Sequence, residues 1–160
     1  MASVAEVYTV RKPRVTEVLA IKEMIDGEVP RGNLLPRSLV ELYENIRDFT
    51  VYVDENGVGG CCALHVDLPN LAEVRSLVVR PELRGRQVGE KLLTACIEEA
   101  RSMELPRIYA LTRACSFFER HGFYRVEKEV LPHKVYRDCL RCRLYPKCDE
   151  IAMVCNLEAM

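Results

Sequence analysis

An anion site is prefigured in the middle of the chain, in Val79-Arg80-Pro81-Glu82-Leu83-Arg84-Gly85-Arg86-Gln87-Val88-Gly89. This segment joins a strand-like apolar run directly to the strongest helical pattern in the sequence. The first N–H groups of a helix have no intrahelical partner, and the helix dipole adds partial positive charge there. Gly85 and Gly89 permit close approach to the backbone, and Arg84 and Arg86 supply full charges, a combination suited to phosphate groups. The spacing is not that of a Walker loop, since no Gly-Lys-Ser/Thr follows, and it is not Gly-x-Gly-x-x-Gly. The plain alternative is a glycine turn with two solvated arginines.

A second set of chemically capable residues is His133, Cys139, Cys142 and Cys148, in the pattern HxxxxxCxxCxxxxxC. Four such ligands could hold a tetrahedral zinc ion. One CxxC pair with scattered partners is a weaker signal than two pairs, and Leu140-Arg141 lacks the glycine that helps a zinc knuckle turn. Reduced thiols or a disulfide in a long connection are the alternative. Of the other histidines, His65 reads as a strand-face residue and His121 as a helix-end cap.

The elements that must position these residues follow from hydrophobic period. Glu6 to Lys12 alternates and reads as a strand ending at Pro13. Val15, Val18, Leu19, Met24 and Ile25 have helical spacing, with Gly27 as the expected C-terminal cap and Pro30 beyond it. Ser38 and Glu41 form a capping-box spacing ahead of a second helix through Leu39, Leu42, Tyr43 and Ile46. Phe49–Val53 and Val58–Val66 read as a hairpin around Asn56-Gly57, a pair that supplies positive φ. Ala72–Val79 is the next strand. Val88, Leu92, Leu93, Cys96, Ile97, Ala100 and Met103 then mark one face of a helix ended by Pro106. Arg107–Leu111, Cys115–Arg120, Phe123–Val130 and Ile151–Leu157 read as strand, helix, strand and strand. The order β-α-α-β-β-β-α-β-α-β-β implies an α/β protein with a mixed sheet covered by helices.

Composition sets the limits. The chain has 160 residues, 49% of them apolar and 29% charged, with no repeat or low-complexity linker. One domain over 1–160 is expected, with 132–150 as a cysteine-containing connection before the last strand. At this length a single core buries about 70% of the surface of the unfolded chain, so neither metal nor disulfide is required for folding. Twenty-three basic and twenty-four acidic side chains give a formal charge of −1, which disfavours sequence-independent nucleic-acid binding. No run approaches the roughly 20 apolar residues of a membrane helix. The start has no basic stretch followed by an apolar run. Eight cysteines, with Cys61 and Cys62 adjacent in a strand-like run, fit buried reduced thiols. A cytoplasmic protein is expected, with neither nucleic acid nor membrane as partner.

Two segments carry a family resemblance. Leu77-Val78-Val79-Arg80-Pro81 followed by Arg84-Gly85-Arg86-Gln87-Val88-Gly89-Glu90-Lys91-Leu92-Leu93 resembles the acetyl-CoA signature of the GNAT acyltransferases. Thr112-Arg113-Ala114-Cys115-Ser116-Phe117-Phe118-Glu119-Arg120-His121-Gly122-Phe123 resembles the next signature of that superfamily. The element order agrees along nearly the whole chain. One departure is Gln87, where the pattern often has a second glycine; a backbone grip tolerates this if φ is negative. The resemblance implies acetyl transfer from acetyl-CoA to an amine, with two central parallel strands, Ala72–Val79 and Arg107–Leu111, splayed around the pantetheine arm. It implies further that main-chain groups of Leu77 and Val79 pair with the arm. Arg84, Gly85, Arg86, Gln87, Val88, Gly89 and Glu90 would hold the diphosphate, with Thr112 and Ser116 near the arm.

The same resemblance places a proton acceptor at Glu73, acting through water, and an oxyanion donor at the N–H of Val78 or Val79. A salt-bridged strand carboxylate is the alternative for Glu73. The tyrosine that many relatives carry as general acid is replaced by Phe118, which leaves Tyr124, water, or unassisted departure of the thiolate. A thiol pKa of about 8.5 makes that departure tolerable. Ala72-Glu73-Val74-Arg75-Ser76-Leu77, Leu111-Thr112-Arg113, Leu131-Pro132-His133-Lys134 and Cys148-Asp149-Glu150-Ile151-Ala152-Met153 are similar to the stand-alone bacterial N-acetylglutamate synthases. That similarity implies an amino-acid acceptor, L-glutamate first, and a role in arginine biosynthesis. A dicarboxylate needs cationic clamps, for which Arg75, Arg113 and Lys134 are the candidates. Each has a solvated-surface alternative, and a strand bulge would turn Arg75 away. The rivals are another small amine or protein amino group as acceptor, and a non-catalytic module that binds acyl-CoA or a protein through its cysteine loop. The apolar last strand adds the expectation of a homodimer.

Overall fold

Asp54, Asn56 and Gly57 fix the first hairpin. Asp54 Oδ1 accepts from the Asn56 N–H at 2.8 Å, and Gly57 takes φ +95°, so β2 (Phe49–Asp54) turns back into β3 (Gly57–Leu68). Asn56 itself is not left-handed. The positive φ expected of the pair falls on the glycine alone, where a Cβ would be strained. In this computed structural model, which describes residues 7–32, 34–131 and 150–157, a further five strands complete one sheet. They are β1 (Tyr8–Arg11), β4 (Leu71–Val79), β5 (Arg107–Thr112), β6 (Tyr124–Val126) and β7 (Ile151–Asn156). The order across the sheet is β1-β2-β3-β4-β5-β7-β6. All neighbours are antiparallel except β4 and β5, which are parallel.

Strand alternation sends successive side chains to opposite faces and so builds two cores. On β3, Cys61 and Ala63 pack with Ile21 and Ile25 of α1 (Val18–Glu28) and Leu42 of α2 (Leu39–Glu44). Cys62 and Leu64 face the other way, against Leu92, Leu93 and Cys96 of α3 (Val88–Ser102). The buried stripe of α3 is the one its sequence spacing predicts. Truncating a fully buried leucine there to alanine costs about 2–5 kcal/mol. A short helix α4 (Cys115–Glu119) follows β5. Among the described residues, no helix is long and apolar enough to cross a membrane.

Two boundaries differ from expectation. Helix α1 runs through Gly27 to Glu28 and passes into a 3-10 turn, Val29–Arg31, that ends at Gly32 with φ +76°. Pro30 sits in the first turn of that 3-10 segment, where its missing N–H would have no partner in any case. The left-handed cap is thus Gly32, and Gly27 is an interior residue. The expected strand over 123–130 shrinks to Tyr124–Val126, and Lys128–Val130 forms a 3-10 turn. As an edge strand β6 pairs only with β7, in a register that ends at Val126.

Candidate active site

The two central parallel strands part almost as soon as they meet. β4 and β5 pair only at Ala72 with Ile108 and at Glu73 with Tyr109. Beyond that point the β5-facing edge of β4 is open, leaving strand N–H and C=O groups for an extended ligand to take up. A bulge sharpens the separation. Ser76 adopts φ +57°, and the pairing of β4 with β3 jumps from Arg75–Ala63 to Val78–Cys61. Before the bulge Ala72 and Val74 pack on the α3 side. After it Leu77 and Val79 do so, while Val78 joins the α1 core. The resulting cleft has a volume of about 550 Å³ and is lined by residues 74–79 and 110–114. Phe117, Phe118, Arg84, Gly89, Glu28, Leu34 and Glu150 complete its wall.

At one end of the cleft lies the turn into α3. Pro81–Leu83 is a 3-10 turn, Arg84 is extended, and Gly85 has φ +81°. Gln87 is the N-cap residue of α3 and is left-handed, with φ +62° and ψ +23°. The condition of a negative φ at Gln87 is therefore not met. The loop keeps a glycine-like backbone although the residue is not glycine, at a cost of about 1 kcal/mol. The Lys91 N–H donates to the Gln87 carbonyl at 3.1 Å, the first bond of this kind in the helix. The amides of Val88, Gly89 and Glu90 precede it and have no intrahelical acceptor. A Cβ built on Gly85 would meet nothing within 4 Å, so the loop's outer side is open. This cradle, with Arg84 and exposed Arg86 at its rim, fits a diphosphate.

Sequence reading missed what seats the loop. A Cβ on Gly59 would lie 2.4 Å from Leu83 Cδ1, and one on Gly60 would lie 3.0 Å from Leu92 Cδ1. Bare backbone at both positions lets the loop and α3 sit down on β3. Also missed was Glu28, at the end of α1, whose Oε1 lies 3.2 Å from Arg84 Nη2. It brings a carboxylate to the cleft wall from a remote part of the chain, a contact that only the fold reveals.

The opposite end of the cleft is built from side chains. Glu73 is 3% exposed and is not among the lining residues; the lining begins at its neighbour Val74. The last β4–β5 pair puts Glu73 at the closed end of the cleft, and Arg75 Nη1 lies 3.5 Å from its Oε1. Arg75 and Arg113 line the same cleft from the two splayed strands and their extensions. Arg113 Nη1 donates to the Gly32 carbonyl at 2.8 Å, tying the end of α1 to the start of α4. Thr112 also lines the cleft, and its Oγ1 accepts from the Ala114 N–H at 2.8 Å. Ser116 is exposed on α4 and lies outside the lining. Lys134, His133, Cys139, Cys142 and Cys148 lie outside the described residues.

Phe118 is buried in the cleft wall, edge-on to Phe117 and Phe123. Tyr124 is exposed on β6, and its hydroxyl accepts from Asn156 Nδ2 at 3.1 Å, away from the lining. The described cysteines Cys61, Cys62, Cys96, Cys115 and Cys155 are free and buried. Burial pushes the Cys61 thiol up to about 12. A hydrogen bond with Cys96 together with burial holds Cys62 well above the ordinary thiol range. Among the described residues, no cluster of three metal-ligating side chains occurs.

An open β4 edge beside the N-terminus of α3 suits an extended ligand that carries an anionic group. The particular family follows from comparison. Residues 20–123 match the acetyltransferase (GNAT) family. An uncharacterized N-acetyltransferase of Chlorobaculum tepidum is 40% identical over 149 residues, 92% of this chain and 96% of that protein. An amino-acid acetyltransferase of Mycobacterium tuberculosis is 36% identical over 139 residues, 85% of this chain and 78% of the relative. N-acetylglutamate synthase from Neisseria gonorrhoeae, complexed with coenzyme A and N-acetyl-glutamate, shares the fold at TM-score 0.86 and 23% identity. That match covers 98% of this chain, which spans only 37% of the longer structure. A Mycobacterium tuberculosis protein in complex with coenzyme A gives TM-score 0.79 at 29% identity, over 93% of this chain and 99% of that one. The chain belongs to the GNAT acetyltransferase family, and acetyl-CoA is its acetyl donor.

Proposed function

We propose that this enzyme acetylates the α-amino group of an amino acid, with L-glutamate as acceptor, and so forms N-acetylglutamate for arginine biosynthesis. The observation that carries this reading is the convergence of Arg75 and Arg113 on one cleft, beside the buried carboxylate of Glu73. Two guanidinium forks on opposite walls match two carboxylates, and arginine pairs with each in bidentate fashion. The names of the mycobacterial relative and of the gonococcal structure support the same acceptor class.

The chemistry follows from the amine. At neutral pH an α-amino group is largely ammonium and does not attack a thioester. Glu73 takes its proton through a water at the closed end of the cleft. The freed nitrogen attacks the acetyl carbonyl carbon, and the N–H of Val79, on the open edge past the bulge, donates to the developing oxyanion; that of Val78 turns toward β3. The carbon–sulfur bond then breaks, coenzyme A leaves as thiolate, and the surplus proton on the attacking nitrogen passes to water. With phenylalanine at 118, that thiolate takes its proton from solvent. Arg84, Arg86 and the amides of Gly85 to Glu90 hold the diphosphate throughout, and Leu77 and Val79 pair with the pantetheine arm. Thr112 packs beside it.

The test is release of free thiol from acetyl-CoA with a panel of amino acids. Glutamate is expected to give the highest kcat/KM. A second reading rests on the carboxylates of Glu28 and Glu150 in the same wall, which favour a cationic side chain on the acceptor or a protein amino group. Turnover with lysine or a peptide, and none with glutamate, would establish it instead.

A further inference from the structure

Glu73 has a problem that its position creates. A base must give up its proton once per turnover, yet this carboxylate is 3% exposed. Its way out is set by its neighbours on the same face of the sheet. On β5 the paired residue is Tyr109, 1% exposed, whose hydroxyl donates to Asp67 Oδ2 at 2.6 Å. That side is sealed by a ring. On β3 the residue opposite Glu73 is His65. Directly opposed residues of antiparallel strands share a face, with Cβ atoms roughly 5 Å apart.

His65 is not isolated. Its Nδ1 lies 2.6 Å from Asp48 Oδ2, on the 3-10 turn Ile46–Asp48 that leads into β2. The two side chains are 23% and 25% exposed, so this pair marks the outer end of the polar strip while Glu73 marks its inner end. A carboxylate at Nδ1 fixes the tautomer with hydrogen on that nitrogen and leaves Nε2 able to accept. The charged and titratable groups on this face are Asp48, His65, Asp67, Glu73 and Arg75, with Tyr109 between them. Arg75 Nη1, 3.5 Å from Glu73 Oε1, is the cationic neighbour of that carboxylate.

We infer that the Asp48–His65 pair is the proton exit of the transfer reaction: it receives from Glu73 the proton taken from the acceptor and passes it to water. The inference rests on Glu73 being the proton acceptor. Atoms balance without a further reactant. The acceptor N–H proton passes through water to a Glu73 oxygen, then across the β3–β4 pair through a bridging water to His65 Nε2, then to solvent. The Nδ1 hydrogen stays on Asp48 throughout. His65 touches no reacting atom and is a positioning residue that acts through Glu73.

The test compares His65→Gln, His65→Asn, Asp48→Asn and Glu73→Gln, each first shown by calorimetry to bind coenzyme A like the parent. Both His65 variants are expected to lose at least ~10-fold in kcat with the acceptor KM unchanged. Imidazole added to the buffer is expected to restore their kcat in a saturable way, which no loss of packing would allow. Asp48→Asn falls between parent and His65→Gln, and Glu73→Gln is inactive with or without imidazole. Parental kcat in both His65 variants, a loss that imidazole does not restore, or a change confined to the acceptor KM overturns the exit route while an inactive Glu73→Gln leaves the base in place. Parental turnover in Glu73→Gln removes the base itself, and the exit with it.

Discussion

The two ends of the cleft are built on different principles. The loop before α3 presents backbone: N–H groups at a helix start, held by a left-handed Gly85 and a left-handed Gln87. The proposed acceptor end presents side chains: Glu73, Arg75 and Arg113 on β4 and just past β5. A backbone cradle depends on φ and ψ, so it survives replacement of side chains as long as the conformation is kept. A side-chain site depends on each group individually. The first should therefore be robust to most substitutions and the second sensitive to single atoms.

The largest expected effect lies at the acceptor end. Glu73→Gln should lower kcat by roughly 10²–10⁴-fold, the usual contribution of a positioned base, while coenzyme A affinity by calorimetry stays at the parental level. A Glu73→Gln enzyme that has lost coenzyme A binding would show that the two ends are not separable. Next come Arg75→Lys and Arg113→Lys. Each keeps the charge and loses the planar fork, so the glutamate KM should rise roughly 10-fold, in line with about 1.5 kcal/mol for a charge-assisted hydrogen bond. An unchanged KM in both would remove the clamp.

Smaller effects are expected at the backbone end. Gln87→Gly should raise stability by up to about 0.5 kcal/mol in urea titration, because relief of strain at φ +62° is largely offset by the entropy of glycine. Its coenzyme A affinity should not change; a large loss would mean that the glutamine side chain, rather than its backbone, takes part in binding. A further effect, confined to alkaline pH, concerns the core behind the cleft. With the Cys61 thiol pushed up to about 12 by burial, it stays protonated in the folded protein where unfolded thiols ionise. The stabilisation is complete below an ordinary thiol pKa of about 8.5 and declines as pH rises above it. Denaturation midpoints should therefore fall between pH 8 and 10, and iodoacetamide should leave native Cys61 unmodified at pH 8.

How far the sequence spoke for the molecule differs in the same way between the two ends. Periodicity located α3 and the strands that meet it, because one face of each is buried and a one-residue shift would expose it. The turn into α3 was legible because strand, glycine turn and helix are contiguous. What was not legible depends on contacts between distant segments or on local energies too small for pattern to register. Gln87 adopts the glycine conformation because the neighbouring elements fix the turn and about 1 kcal/mol does not prevent it. The Ser76 bulge has no mark of its own in Arg75-Ser76-Leu77. Glycine at 27 suggested an end to α1, yet burial of Ile21 and Ile25 carries the helix past it to Gly32. The wall contributed by Glu28, and the alignment of His65 with Glu73, arise from pairing across the sheet.

Backbone hydrogen exchange with and without coenzyme A tests the central claim most directly, since the claim is that main-chain N–H groups of one loop and one strand edge grip the donor. The account predicts new protection at residues 85–90 and at Leu77 and Val79, with the β2–β3 hairpin unchanged. Protection absent from both segments, or appearing only on other elements in a protein that does bind coenzyme A, would contradict it.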